Sequence, residues 1–288
     1  MVNIVMEKND CLIPILVRSP GGRSGTSLMM EVLSSSPKIS FDRQHPYEVR
    51  MLSYFYRLSM IMHAEKGHDW KNDMLVQSNL KNVGPIPIMS SLISDPVKFS
   101  HEHFSSSWAE FSKEVKNNNS NALFYAEKIP HDVLDVVKGI LSCKIIYLVR
   151  DPRAELASII NFNKKRGSNF FGWKGEDTIE SFTSRFILQR SSYFEMIEKQ
   201  LEDINCLVIK YENLVLDIDR VCGELSDYLS VSVNASKVME NIKSNSKHMT
   251  SSDPRSSLTQ WQKDLPETII EKLNVNLIEK LSNNFYKR

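Results

Sequence analysis

The sequence predicts a three-layer α/β fold, with a central, mainly parallel sheet flanked by helices. Two matching segments and one alternation predict it. Ile13–Val17 and Lys144–Val149 are short apolar runs of the kind buried parallel strands need, and each leads through a tight turn into a helix-forming stretch. Further along, strand-like and amphipathic helical stretches alternate as in successive βαβ units. A helical insertion is expected over roughly residues 45–120. The 288 residues suffice for a full α/β core and show no internal repeat, so a single domain over residues 1–288 is expected.

In the first segment Pro14 belongs at the start of its strand, and the stretch from Arg18 to Gly25 cannot continue it. Gly21, Gly22 and Gly25 let the backbone fold its N–H groups around a ligand. A helix should start near Thr26, bury Leu28, Met29, Val32 and Leu33, and stop at Ser34-Ser35-Ser36-Pro37. Its free amides and dipole then point at the loop, where an anion would sit. The hydroxyls of Ser24, Thr26 and Ser27 add donors, and Arg23 adds a fixed charge with a forked donor set. A nucleotide-binding P-loop places lysine and then Ser or Thr after its last glycine to hold phosphate and magnesium. Here Thr26 follows Gly25 directly and the cation precedes it, so the loop is P-loop-like without that pair.

In the second segment Asp151 is placed as a helix cap and Pro152 suits the first helical position, with Leu156, Ile159 and Ile160 on the buried face. Arg150 thus falls at the carboxyl end of a strand, the edge where open parallel sheets bind ligands. Ser158 lies within the following helix, where a lone hydroxyl would mean little.

Together these residues resemble the sulfotransferases that use 3′-phosphoadenosine 5′-phosphosulfate (PAPS). Arg23-Ser24-Gly25-Thr26-Ser27 is similar to the family's 5′-phosphosulfate loop, and Leu148-Val149-Arg150-Asp151-Pro152-Arg153 with Ser158 is similar to its 3′-phosphate motif. Weaker likenesses are Glu127-Lys128-Ile129-Pro130, Tyr211-Glu212-Asn213-Leu214, and the stretch from Arg255 to Leu265 with Trp261, similar to a late cofactor-covering loop. The resemblance implies that Arg23, Ser24, Gly25, Thr26 and Ser27 hold the 5′ end while Arg150 and Ser158 hold the 3′-phosphate. Tyr211, Arg255 and Ser256, with Ser257, are the further contacts it suggests. It also implies that Lys128 and Arg23 neutralise charge on the departing adenosine 3′,5′-bisphosphate. No metal is expected, because a transferring sulfuryl group carries less negative charge than a phosphoryl group, so arginine, lysine and helix amides suffice.

An acceptor hydroxyl must also lose a proton. Sulfotransferases commonly use glutamate or histidine, and Glu48 is the first choice, with His45 and His131 as alternatives. The acceptor is expected to be a small molecule, carbohydrate or lipid; amines stay open, as does the oligomeric state. Two other readings of the residues are a metal-dependent P-loop kinase of a small molecule and a nucleotide-binding protein without catalysis.

Lys plus Arg total 36 against 35 Asp plus Glu, so no nucleic-acid partner is indicated. Lys164-Lys165-Arg166 reads as a solvated helix end. Glu7, Lys8 and Asp10 interrupt the first residues, no apolar run reaches membrane length, and Cys11, Cys143, Cys206 and Cys222 form no close metal-binding pair. A chain without a transmembrane segment, with reduced thiols and a cytoplasmic location, is the expectation.

Within the insertion, Tyr47 to His63 reads as one helix, and Phe104, Trp108, Phe111 and Val115 as the buried stripe of another. Tyr47, Tyr54, Phe55 and His63 are candidates to wall the acceptor pocket, and Val83–Pro87 reads as a turn. Later, Phe182, Phe186, Tyr193, Ile197 and Leu201 trace one side of a long helix, Cys206–Lys210 a strand, residues 244–257 a polar surface loop, and Ile269 to Leu281 a closing helix.

Overall fold

A computed structural model describes residues 11–44, 46–60, 93–167, 172–200, 205–234, 236 and 255–279. Among the described residues five strands form one sheet: β1 (Ile13–Arg18), β2 (Ile39–Ser40), β3 (Phe124–Lys128), β4 (Lys144–Val149) and β5 (Cys206–Lys210), in the order β2-β3-β1-β4-β5. The sheet is parallel, with Ile39 opposite Phe124 at one edge and Ile145 opposite Cys206 at the other. The helices are α1 (Thr26–Ser34), α2 (Met51–Met60), α3 (Pro96–Asn118), α4 (His131–Ile140), α5 (Pro152–Arg166), α6 (Ile179–Glu198), α7 (Tyr211–Leu216) and α8 (Ile218–Leu229). Two short helices, α9 (Ser256–Thr259) and α10 (Trp261–Asp264), precede α11 (Glu267–Leu273), which runs on as a π-helical turn over Asn274–Ile278. The α/β expectation holds because β4 is buried from its second residue to its last, as a strand covered on both faces must be.

The chain divides into two compact units, Met1–Leu16 with Pro37–Lys144, and Val17–Ser36 with Ile145–Arg288. The first unit is organised around α3. Asp95 caps this helix by accepting from the Lys98 amide at 3.0 Å, and Pro96 takes the first helical position, where its missing N–H is harmless. Of the expected stripe Phe104 and Trp108 are buried core while Phe111 and Val115 are half-buried, and Trp108 and Phe111 pack against Tyr125 of β3 with ring centroids 5.7 and 5.1 Å apart. The Trp108 indole donates to the Leu12 carbonyl, which satisfies its one polar atom.

The helix expected from Tyr47 begins four residues later, at Met51. Tyr47 has a φ of 62°, a left-handed conformation no α-helix accommodates. The start is instead fixed by Glu127, whose carboxylate accepts from the amides of Leu52 and Ser53 at 2.8 and 3.1 Å and from the Ser53 hydroxyl at 2.8 Å. A charge there satisfies the amides that a helix start leaves open. Residues 61–63, the turn at Val83–Pro87 and Leu281 lie outside the described residues.

In the second unit α1 starts directly after Gly25. Asp151 caps α5 by accepting from the Arg153 amide at 2.8 Å, as its position predicts, and Gly167 closes that helix with a φ of 62°. α6 opens with a reciprocal Thr178–Ser181 capping box and buries Phe182, Phe186, Tyr193 and Ile197, the expected face. The Tyr193 hydroxyl lies 3.0 Å from the carbonyls of both Arg18 and Leu148, so α6 ties the end of β1 to the end of β4. Within the loop expected at residues 244–257, Ser256 and Ser257 are instead helical, in α9.

Candidate anion site

The second unit assembles a site from the loop after β1 and the turn after β4. In that loop two residues take left-handed conformations, Arg23 at φ 71° and Gly25 at φ 92°. A Cβ on Gly25 would stand 2.4 Å from the Tyr211 ring, so glycine is required by space as well as by backbone angle. Arg23 has no such licence, and its conformation is held from outside: its carbonyl accepts from Arg150 Nη1 at 2.6 Å.

Arg150 is buried. Its Nη2 reaches the Ser257 carbonyl at 3.1 Å and the Ser257 hydroxyl at 3.4 Å, and its guanidinium lies 4.2 Å from the Tyr211 ring centre. Its Nε is buried without a hydrogen-bond partner among the described residues, and none of them forms an ion pair with it. A cation so placed offers a donor and a charge to an incoming anion. Arg23 joins it: Nε donates to the Ser158 hydroxyl at 3.2 Å, and the guanidinium lies 5.0 Å from the Phe162 ring. Burial, and then the neighbouring charge of Arg150, hold the Arg23 guanidinium below its ordinary pKa, with Tyr211 opposing and Arg166 adding to the effect. Like charges gathered this closely repel, and an anion between them relieves the repulsion.

The Tyr-Glu-Asn-Leu stretch acts from α7. The Tyr211 hydroxyl lies 3.3 Å from that of Ser257, and Glu212 accepts from the Asp151 amide at 2.8 Å, steadying the turn that presents Arg150. Burial raises the Glu212 carboxyl, against the hydrogen bond from Asp151. α9 and α10 are held beside α5: the Arg153 guanidinium lies 4.1 Å from the Trp261 ring, and Asn161 donates to Asp264 at 2.6 Å.

Arg23, Gly25, Thr26, Ser27, Arg150, Ser158 and Tyr211 therefore belong to one unit, with hydrogen bonds linking Arg23 to both Arg150 and Ser158. The Ser24 hydroxyl is fully buried, donates to Glu155 Oε1 at 2.6 Å and lies 3.0 Å from the Gly21 carbonyl. Arg255 and Ser256 are exposed, and of that trio Ser257 makes the contacts with Arg150 and Tyr211.

The other expected residues belong to the first unit. Lys128 ends β3, is nearly buried, donates to the Pro46 carbonyl at 2.5 Å and lies 3.9 Å from Glu48. Burial pushes its pKa down to about 8, with Glu48 opposing and Arg50 reinforcing the shift. Glu48 is half exposed and pairs with Arg50 at 3.1 Å. His131 is the first residue of α4, and its side chain and His45 lie outside the described residues.

Sequence reasoning passed over Glu127, Glu155 and Arg190. A signal for the last was present: Arg190 follows Phe186 by four positions and precedes Tyr193 by three, on the apolar face of α6.

Such a fold defines an α/β protein that gathers Arg23 and Arg150 at the carboxyl ends of parallel strands, the edge where sheets of this kind take ligands. The sulfotransferase domain family matches residues 19–285, and the chain belongs to that family. Among solved structures it is similar to the sulfotransferase domain from the curacin biosynthetic pathway (TM-score 0.54, 16% identity, 93% of this chain and 98% of that one). It is also similar to the sulfotransferase domain from the Synechococcus PCC 7002 olefin synthase (TM-score 0.52, 15% identity, 96% and 98%). A third is retinol dehydratase in complex with androsterone and the inactive cofactor PAP (TM-score 0.50, 13% identity, 98% and 84%). No curated protein matches the chain significantly in sequence. Among the described residues no helix is long and apolar enough to cross a membrane.

Proposed function

We propose that the chain transfers a sulfuryl group from PAPS to a hydroxyl, or an amine, of a small molecule, carbohydrate or lipid. The observation that carries this reading is the convergence of Arg23, Arg150 and Ser158, with Arg150 Nε unpartnered among the described residues. The residues fit an adenosine 3′,5′-bisphosphate moiety: Arg150 and Ser158 take the 3′-phosphate, and the amides of Gly25, Thr26 and Ser27 with Arg23 take the 5′ end. Ser24 contributes its backbone N–H alone. When bound, PAPS supplies the sulfuryl group and a bisphosphate leaving group.

Lys128 adds positive charge as negative charge builds on the leaving group, and Glu48 accepts the acceptor's proton. Glu48 suits the proton step because it is half exposed and keeps acceptor capacity beside Arg50. Arginine, lysine and helix amides carry the electrostatic load, so the transfer runs without a divalent metal. Cys11, Cys143, Cys206 and Cys222 form no disulfide among the described residues, and the reading takes the setting as reducing and cytoplasmic.

Thermal shift tests the reading. Adenosine 3′,5′-bisphosphate should raise the melting temperature with concentration, Mg-ATP should not, and sulfuryl transfer should survive a chelator. Stabilisation by Mg-ATP alone would mark a kinase instead.

A further inference from the structure

A buried ion pair lies behind the loop and takes no part in the chemistry above. Glu155, on α5, is fully buried and pairs with Arg190, on α6, through Oε1 to Nη2 at 2.7 Å and Oε2 to Nε at 3.1 Å. Both partners also reach the loop after β1. Glu155 Oε1 accepts from the Ser24 hydroxyl at 2.6 Å, and Arg190 Nη1 donates to the Pro20 carbonyl at 3.2 Å. A Cβ on Gly21 would stand 2.9 Å from Arg190 Nη2, so the loop passes directly against the guanidinium. The Phe186 ring, 4.2 Å from that guanidinium, backs it from the same helix.

Two charges at this depth are costly as stabilisers, and apolar side chains of similar volume often replace such a pair without loss of stability. Their geometry explains them better than stability does. Every side-chain hydrogen bond described for the pair outside itself goes to the loop, at Pro20 and Ser24. Resting on the reading that the loop holds the 5′ end of PAPS, we propose that Glu155 and Arg190 are positioning residues for donor binding. They form a brace that fixes the loop from Pro20 to Ser24 so that its amides, and Arg23 in its left-handed conformation, are set before the ligand arrives. Glu155 sits three residues before Ser158 on α5, so the same helix that carries the 3′-phosphate hydroxyl sets the 5′ loop. The two ends of the nucleotide site are thereby kept in register.

The test replaces the pair by apolar residues, Glu155→Leu with Arg190→Met, which leaves no unpaired buried charge. Three quantities are read: melting temperature, amide hydrogen exchange of residues 19–25 without nucleotide, and the Kd for adenosine 3′,5′-bisphosphate by calorimetry. A brace predicts a melting temperature close to wild type with loop exchange faster and Kd weaker, each by about tenfold or more. A folded double variant with unchanged exchange and unchanged Kd overturns the proposal. If the double variant does not fold, Ser24→Ala keeps the ion pair and removes the Glu155 half of its grip on the loop, leaving Arg190 on Pro20; exchange of residues 23–25 at wild-type rates in that variant overturns the proposal equally. Exchange that responds while the wild-type protein ignores the bisphosphate leaves the brace standing and removes the PAPS reading instead.

Discussion

The guanidinium of Arg150 donates to the carbonyl of Arg23 at 2.6 Å, so the residue expected at the 3′-phosphate also holds the backbone of the residue expected at the sulfuryl end. The contact joins the two motifs the sequence set 127 positions apart and ties their conformations together. Whatever moves Arg150 therefore disturbs both ends of the site.

Arg150→Ala should weaken adenosine 3′,5′-bisphosphate binding by about 1.5–3 kcal/mol, the loss of one charged hydrogen-bonding partner. The preference over adenosine 5′-monophosphate should narrow, because the missing contact is to the phosphate only one of them carries. A lysine at this position keeps the charge but not the fork, so Arg150→Lys should fall between wild type and alanine. Calorimetric titration of both nucleotides against the three proteins reads this, and an intact preference in Arg150→Ala removes Arg150 from the 3′-phosphate.

Gly25→Ala meets two obstacles, the left-handed φ of 92° and the Tyr211 ring 2.4 Å from the new methyl. The expected loss of stability is about 1–3 kcal/mol. Relieving the ring clash with Tyr211→Ala should recover only part of it, since the backbone angle stays wrong and the Arg150 stacking partner is gone. Urea unfolding of the single and double variants separates the two contributions, and full recovery in the double variant contradicts the backbone argument.

What could be read in the sequence was local. Both loops announce themselves because a strand, a turn and a helix start lie within about fifteen consecutive residues and each obeys its own pattern. The brace was not legible, since Glu155 and Arg190 are 35 positions apart and a charged residue on a helix says nothing of its partner. The start of α2 was misread for the same reason: it depends on Glu127, 75 positions from Leu52, and on a left-handed Tyr47 that no residue preference signals. β2, two residues long, is too short to carry a period at all.

The proposed role of Lys128 requires its ammonium. Burial lowers its pKa to about 8, so the charge is lost as pH rises through that value. Sulfuryl transfer under saturating donor should accordingly decline above about pH 8, and Lys128→Arg, which stays charged, should push the decline to higher pH. Glu48→Gln should instead lower the rate about 10²–10⁴-fold at every pH while leaving bisphosphate affinity nearly intact. A pH–rate profile of Lys128→Arg that keeps the wild-type alkaline limb would assign that limb to another group.

Glu127 gives the opposite dependence in stability. Burial raises its carboxyl to about 7, although the Leu52 amide and the Ser53 hydroxyl and amide each favour the charged form. In the unfolded chain the group titrates near 4.5, so between these values the folded state binds more protons than the unfolded one. Its contribution to stability is then fully present below about pH 4.5, falls as pH rises towards 7, and is flat above; the full span is on the order of 3 kcal/mol at most. Glu127→Gln removes the titration but turns an amide group towards the Ser53 N–H, so it should lose the pH dependence and part of the α2 start together. Urea midpoints of both proteins from pH 4.5 to 8 provide the comparison, with other carboxylates cancelling in the difference. A constant difference across that range would mean Glu127 stays ionised throughout, and that the hydrogen bonds to α2 outweigh burial.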